Sequence, residues 1–347
     1  MTHRALRLYM ILAASLVIVG MLTQSFAQSG LIGNPDMSYW AFDWAHDPAY
    51  GRAYGIGLGW GIVGWIAVSR LADFRLWVSA PIWVGALLAT VGSVLLSFSV
   101  TTDEGGRSGL LALIPMFCWA GVIEDRQEAQ RTELSEPLTL VILCAWGIAM
   151  PFPASLFGLA FLALTTRRSP VWRAVVNANI FIVLFTAIAI AISPYRQSMF
   201  LRWIGFDDEL PWEYLRERVL AHLNSSGTHV VLPDAYGIFL LTSLVEWQGY
   251  LLGLIVGATA VGLPVWAIYE FSRMRGGGWQ RIFGLGLAAC LLPFACLSLL
   301  SNFGLALTHL HGLIFFAPDI VFLIYATMLV ATLFATRSES GHQPQLE

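Results

Sequence analysis

Five residues able to donate or accept a proton fall beside the chain's apolar runs: Asp234, Glu246, His309, His311 and Asp319. Glu246 lies just inside a run that begins near residue 238, and Asp234 stands just ahead of that run. Asp319 follows Pro318 early in the last run, and His309 and His311 occupy the short segment before it. An ionisable side chain at membrane depth is costly and is therefore a candidate for function. These five could line one cavity open to one membrane face. Each also has a plainer chemistry. Histidines at i and i+2 chelate poorly, so an interfacial position accounts for them and no metal site is expected. Asp319 can accept bonds from backbone N–H groups freed by Pro318. Arg196 and Arg202 lie in the longest polar segment, 194–237. A guanidinium can pair two phosphate oxygens at once. That makes the two arginines candidate diphosphate contacts, with anchoring to lipid headgroups as the alternative. Asp43, His46 and Asp47 are expected to be solvated loop residues, and Trp40, Trp44, Trp60 and Trp65 to form an interfacial aromatic belt.

The elements that must position these groups are membrane helices. Of the 347 residues, 57% are hydrophobic and 12% charged, against about 25% charged in soluble domains. Apolar runs of about 18 residues or more recur along the chain, enough for a helix to cross the hydrocarbon core. They predict an all-α, polytopic bundle with spans near 6–26, 53–70, 76–100, 109–123, 138–150, 154–166, 174–193, 238–271, 282–301 and 312–336. The eighth is too long for one straight span, so its start is placed at the interface. The N-terminal run could mimic a signal segment, but the many later spans favour an uncleaved first helix. A single domain over 1–336 with a disordered tail at 337–347 is expected. The 19 basic residues are all Arg. The absence of Lys excludes Schiff-base chemistry. Cys118, Cys144, Cys290 and Cys296 lie in apolar runs without metal-ligand spacing and are expected to be buried hydrophobes. No cofactor and no nucleic-acid partner are expected.

Ten spans put both termini on one side, and the arginines give the orientation. Thirteen fall in segments on the side of the termini and six in the opposite segments. The excess places both termini in the cytoplasm and segment 194–237 outside. Within that outer loop, Trp212–Leu223 has helical apolar spacing, with Arg216, Glu217 and Arg218 on the other face. This predicts a helix lying flat on the outer surface.

Several stretches, in order, match a pattern. Leu232–Gly249 reads LPDAYGIFLLTSLVEWQG. It resembles, without a gap, the LPEAHTDFIFAxxxEExG motif of the shape, elongation, division and sporulation (SEDS) family, with Pro233, Ala235, Phe239, Glu246 and Gly249 on matching positions. Pro194-Tyr195-Arg196 resembles the PYRxxR that opens the family's large outer loop, and Tyr214 falls where its GYQ tyrosine is expected. Asn302-Phe303-Gly304 resembles INxG, and Pro318 fits the proline of LPFISYGGSS. Arg70–Arg75 and Ala149–Ser155 resemble the family's short turn between spans two and three and its QPDxGT segment. The resemblance covers nearly the whole chain. It implies a SEDS-like bundle in a bacterial inner membrane, active in peptidoglycan synthesis. It also implies two partners, a class B penicillin-binding protein with a single-span helix and an undecaprenyl-linked glycan.

The departures fall on the chemistry. The family's catalytic Asp position holds Ile238, preceded by Tyr236 and Gly237 in place of His and Thr. Phe152 replaces the acid of QPDxGT, Ile114–Phe117 lacks the acid and Lys of QPSExxK, and Val321–Tyr325 is apolar where the family has SYGGSS. Isoleucine cannot accept a proton, so general-base catalysis at 238 is excluded. Asp234 stands one helical turn away, a displacement of about 6 Å, and catalysis loses much even at about 1 Å. The expectation is therefore a protein without catalytic residues that acts through a partner. An active glycosyltransferase using Asp234 or Glu246 is the alternative. A transporter ranks third, because mid-membrane polar groups are few, chiefly Asn177 and Asn179.

Overall fold

The computed structural model describes residues 3–28, 48–73, 172–192, 239–274, 278–305 and 313–340, with scattered positions between 140 and 163 and between 194 and 224. Every regular element among the described residues is an α-helix. The chain is an all-α membrane bundle, as its composition predicts. Among the described residues, three helices carry segments long and apolar enough to cross a bilayer: Arg4–Ser25, Tyr250–Arg273 and Trp279–Asn302. The expected third to sixth spans lie, but for a few positions, outside the described residues.

Helix α1 (His3–Gln28) buries Leu6, Tyr9, Ala13, Leu16, Gly20, Thr23 and Gln24, a stripe at helical spacing. Leu8, Met10, Ile11 and Ile18 cover the opposite face and are exposed, as side chains facing lipid must be. Helix α2 (Pro48–Asp73) and α3 (Trp172–Ile192) show the same division. On α2 the exposed apolar residues include Ile56, Trp60, Ile62, Val63 and Ile66. Trp65 on the same helix is half-buried, its ring stacked on Trp279 at 5.6 Å.

The eighth expected span is two helices. Helix α4 (Leu240–Gln248) stops at Gly249, and α5 (Tyr250–Arg273) starts directly after it. Gly249 has φ 84° and ψ 167°, a backbone region that only glycine enters freely. Small residues then let α5 approach its neighbours closely. A Cβ on Gly253 would fall on Val245 of α4, and one on Gly257 on Leu299. Leu299 belongs to α6 (Gly278–Asn302). That helix is buried on nearly all sides from Phe283 to Leu297, which makes it the centre of the described bundle. At the α5–α6 corner, Arg281 Nε donates to the Phe271 carbonyl at 2.9 Å.

The last helix differs from expectation at its start. Helix α7 runs from Ile320 to Ser340, so it begins eight residues after the expected 312 and continues past 336. Residues 313–317 form turns instead, and Leu313 through Ala317 are all buried. Phe315 takes φ 61°, which ends any helix there. This buried turn is held from two sides. The Tyr54 hydroxyl donates to the Phe316 carbonyl. Gly20 leaves room for that same carbonyl, onto which a Cβ would fall. Gly61 and Gly64 then let α2 lie along α7 at Thr327 and Met328.

Candidate functional site

Helix α4 carries Glu246, and residues far away in sequence help to hold the helix in place. Phe239 precedes α4 at the N-cap and has no side chain able to cap. The first four N–H groups of any helix need outside acceptors. Here the backbone N–H of Thr242 donates to Asn302 Oδ1 at 3.0 Å. The Thr242 hydroxyl lies 2.8 Å from the Asn302 carbonyl and 3.1 Å from Asn302 Oδ1. Asn302 Nδ2 in turn donates to the Ser298 carbonyl at 2.8 Å. All three residues are buried. The Thr242 and Asn302 side chains are thereby paired, and in a low-dielectric interior such a pair specifies one arrangement, because leaving either side chain unpaired is expensive.

The end of α6 completes the neighbourhood. Leu305 N–H donates to the Leu300 carbonyl at 2.9 Å and Gly304 N–H to the Ser301 carbonyl at 3.0 Å. With Gly304 at φ 69°, these two bonds form a Schellman cap. The glycine also packs against the 194–237 segment. A Cβ at Gly304 would sit 3.3 Å from Leu220 Cδ2 and 3.6 Å from Val219 Cγ1. Tyr250, just beyond Gly249, donates its hydroxyl to the Leu223 carbonyl at 2.8 Å. Val219, Leu220 and Leu223, helix α4, the start of α5 and the end of α6 therefore meet. Glu246 is half-buried within that group, one turn from Thr242.

The other sequence candidates divide. Asp319 Oδ1 accepts the backbone N–H of Phe322 at 3.3 Å, and the Asp319 carbonyl accepts that of Leu323 at 2.9 Å. Asp319 is thus the N-cap of α7, the plainer of its two readings. Asn179 Nδ2 donates to the carbonyl of Val175 in its own helix at 3.3 Å, and Asn177 is exposed on α3. Asp234, Ile238, Arg196, Arg202, His309 and His311 lie outside the described residues, as do Asp43, His46, Asp47 and Phe152. No group of three or more His, Cys, Asp or Glu able to hold a metal occurs among the described residues.

Sequence reasoning used Asn302 and Gly249 only as motif matches. The structural roles of both were missed. A buried Asn at the end of an apolar span, 60 residues from the helix it serves, gives no local signal. Thr242 looks like one more small residue in an apolar run.

The described residues and their packing define a polytopic helical membrane protein. A solved structure described as the structural coordination of polymerization and crosslinking by a peptidoglycan synthase complex contains a chain of the same fold. The match has a TM-score of 0.58 and 17% sequence identity, and it covers 97% of this chain and 98% of that chain. At that identity the likeness is one of fold, and it runs end to end. No family model matches the chain, and no curated protein matches it.

Proposed function

We propose that the chain is a SEDS-like protein of a bacterial inner membrane that serves peptidoglycan synthesis without itself catalysing glycan polymerisation, and that it acts through a single-span partner of the class B penicillin-binding protein type. The observation that carries this reading is the end-to-end fold match to a chain of a peptidoglycan synthase complex, taken with isoleucine at position 238. The match and the ordered motifs point to the same process by separate routes. Isoleucine, Phe152 and the apolar 321–325 stretch together remove polar groups at several places where the SEDS resemblance expects them. Loss at several places fits relaxed catalytic constraint better than a base moved by one turn. In this reading both termini are cytoplasmic, 194–237 is outside, and Arg196 and Arg202 contact the diphosphate of an undecaprenyl-linked glycan or lipid headgroups.

The competing reading is an active lipid II glycosyltransferase with Asp234 or Glu246 as base. A gel assay with labelled lipid II separates the two, using purified wild type, Ile238→Asp and Asp234→Ala. The expected result is no glycan product from wild type. Product from Ile238→Asp alone would mean a preserved cavity lacking only its carboxylate. Wild-type product that disappears in Asp234→Ala overturns the non-catalytic reading and makes Asp234 the base.

A further inference from the structure

Helix α4 is set by one device at each end. At its C-terminal end Gly249, with φ 84° and ψ 167°, ends the helix and turns the chain directly into α5. At its N-terminal end Phe239 offers no cap, and the Thr242 N–H, one of the helix's unsatisfied donors, goes to Asn302 Oδ1 of α6. We infer that Asn302 is a positioning residue that caps α4 from another helix, so that α4 holds its place only while the end of α6 is in place, with Gly249 as the joint that sets its angle to α5.

The bonding fits that role. Asn302 Nδ2 is fixed on the Ser298 carbonyl one turn back in α6, which aims Oδ1 outward at Thr242. The Thr242 hydroxyl adds a second bond across the same gap, at 2.8 Å to the Asn302 carbonyl. Val245 lies against Gly253, so α4 packs on the first turn of α5 as well. The placement extends to function-bearing positions. Glu246 is one turn further along α4, and residue 238 is joined directly to Phe239. The outer segment takes part, since Val219 and Leu220 rest on Gly304, two residues past Asn302. Segment 194–237 thus touches, through Val219 and Leu220, the same end of α6 that caps α4. The inference stands on this geometry alone and holds or fails independently of any role in cell-wall synthesis.

Hydrogen–deuterium exchange of the full-length protein in nanodiscs tests it. Asn302→Ala is expected to speed exchange of the α4 amides at 243–248 by about tenfold, the scale of one lost buried hydrogen bond, with the α5 amides at 256–262 changed by less than about twofold. Thr242→Val removes only the hydroxyl bond and is nearly isosteric; should Asn302→Ala not accumulate, Thr242→Val is expected to give a smaller acceleration, again confined to α4. Unchanged α4 exchange in these variants, or equal acceleration in α4 and α5, overturns the inference. The second outcome would make Asn302 an ordinary contributor to global stability.

Discussion

Asp319 shows how a single residue can satisfy a structural need and look catalytic in sequence. It follows a proline at the head of an apolar run, and its side chain accepts the Phe322 N–H. Asn caps as well as Asp, whereas Ala cannot. Asp319→Asn is therefore expected to unfold at the wild-type temperature in detergent, while Asp319→Ala loses about 1 kcal/mol of stability. A large loss in the Asn variant would point to a use for the charge beyond capping. Glu246 has a different standing. It is half-buried on a helix whose place is set by tertiary contacts from the end of α6 and the start of α5. Asp234 and Ile238 precede that helix in the chain.

The helices themselves were largely legible, and their ends were not. The stripe Leu6, Tyr9, Ala13, Leu16 announces α1 by its spacing, and the apolar runs announce α5 and α6. The long eighth run was flagged as too long for one span. Its break at Gly249 was not placed, because a single glycine in a run rich in glycine carries no mark of its φ. The start of α7 was misplaced for a related reason. Leu313–Ala317 is as apolar as a helix, but the Phe316 carbonyl is bound by Tyr54, 262 residues away, and no local pattern shows such a bond. The Thr242–Asn302 pairing was hidden in the same way. Close helix approach supplies a test at this scale. A Cβ on Gly257 would meet Leu299, so Gly257→Leu is expected to cost about 1–3 kcal/mol by overpacking. Thermal unfolding measures the loss. The exposed Gly262, with nothing near its Cβ, is the control. A Gly262→Leu variant as unstable as Gly257→Leu would contradict close α5–α6 contact as the cause.

For the whole molecule the arginine distribution makes a claim the packing alone cannot make, namely which end of the bundle faces outward. In the proposed reading the end holding α4, the Schellman cap of α6 and Val219, Leu220 and Leu223 is the outer one. A cysteine introduced at Ser225, in a background lacking the four native cysteines, is expected to react with an impermeant maleimide on intact cells. Labelling only after lysis would invert the orientation. The central claim is broader: the fold shared with a chain of a peptidoglycan synthase complex is used here for the same process, without a catalytic carboxylate at 238. The most direct measurement is incorporation of a labelled cell-wall precursor in cells depleted of the protein. The account predicts that incorporation falls on depletion and is restored equally by wild type and by Asp234→Ala. Incorporation that does not change on depletion, or that wild type restores and Asp234→Ala does not, would contradict it.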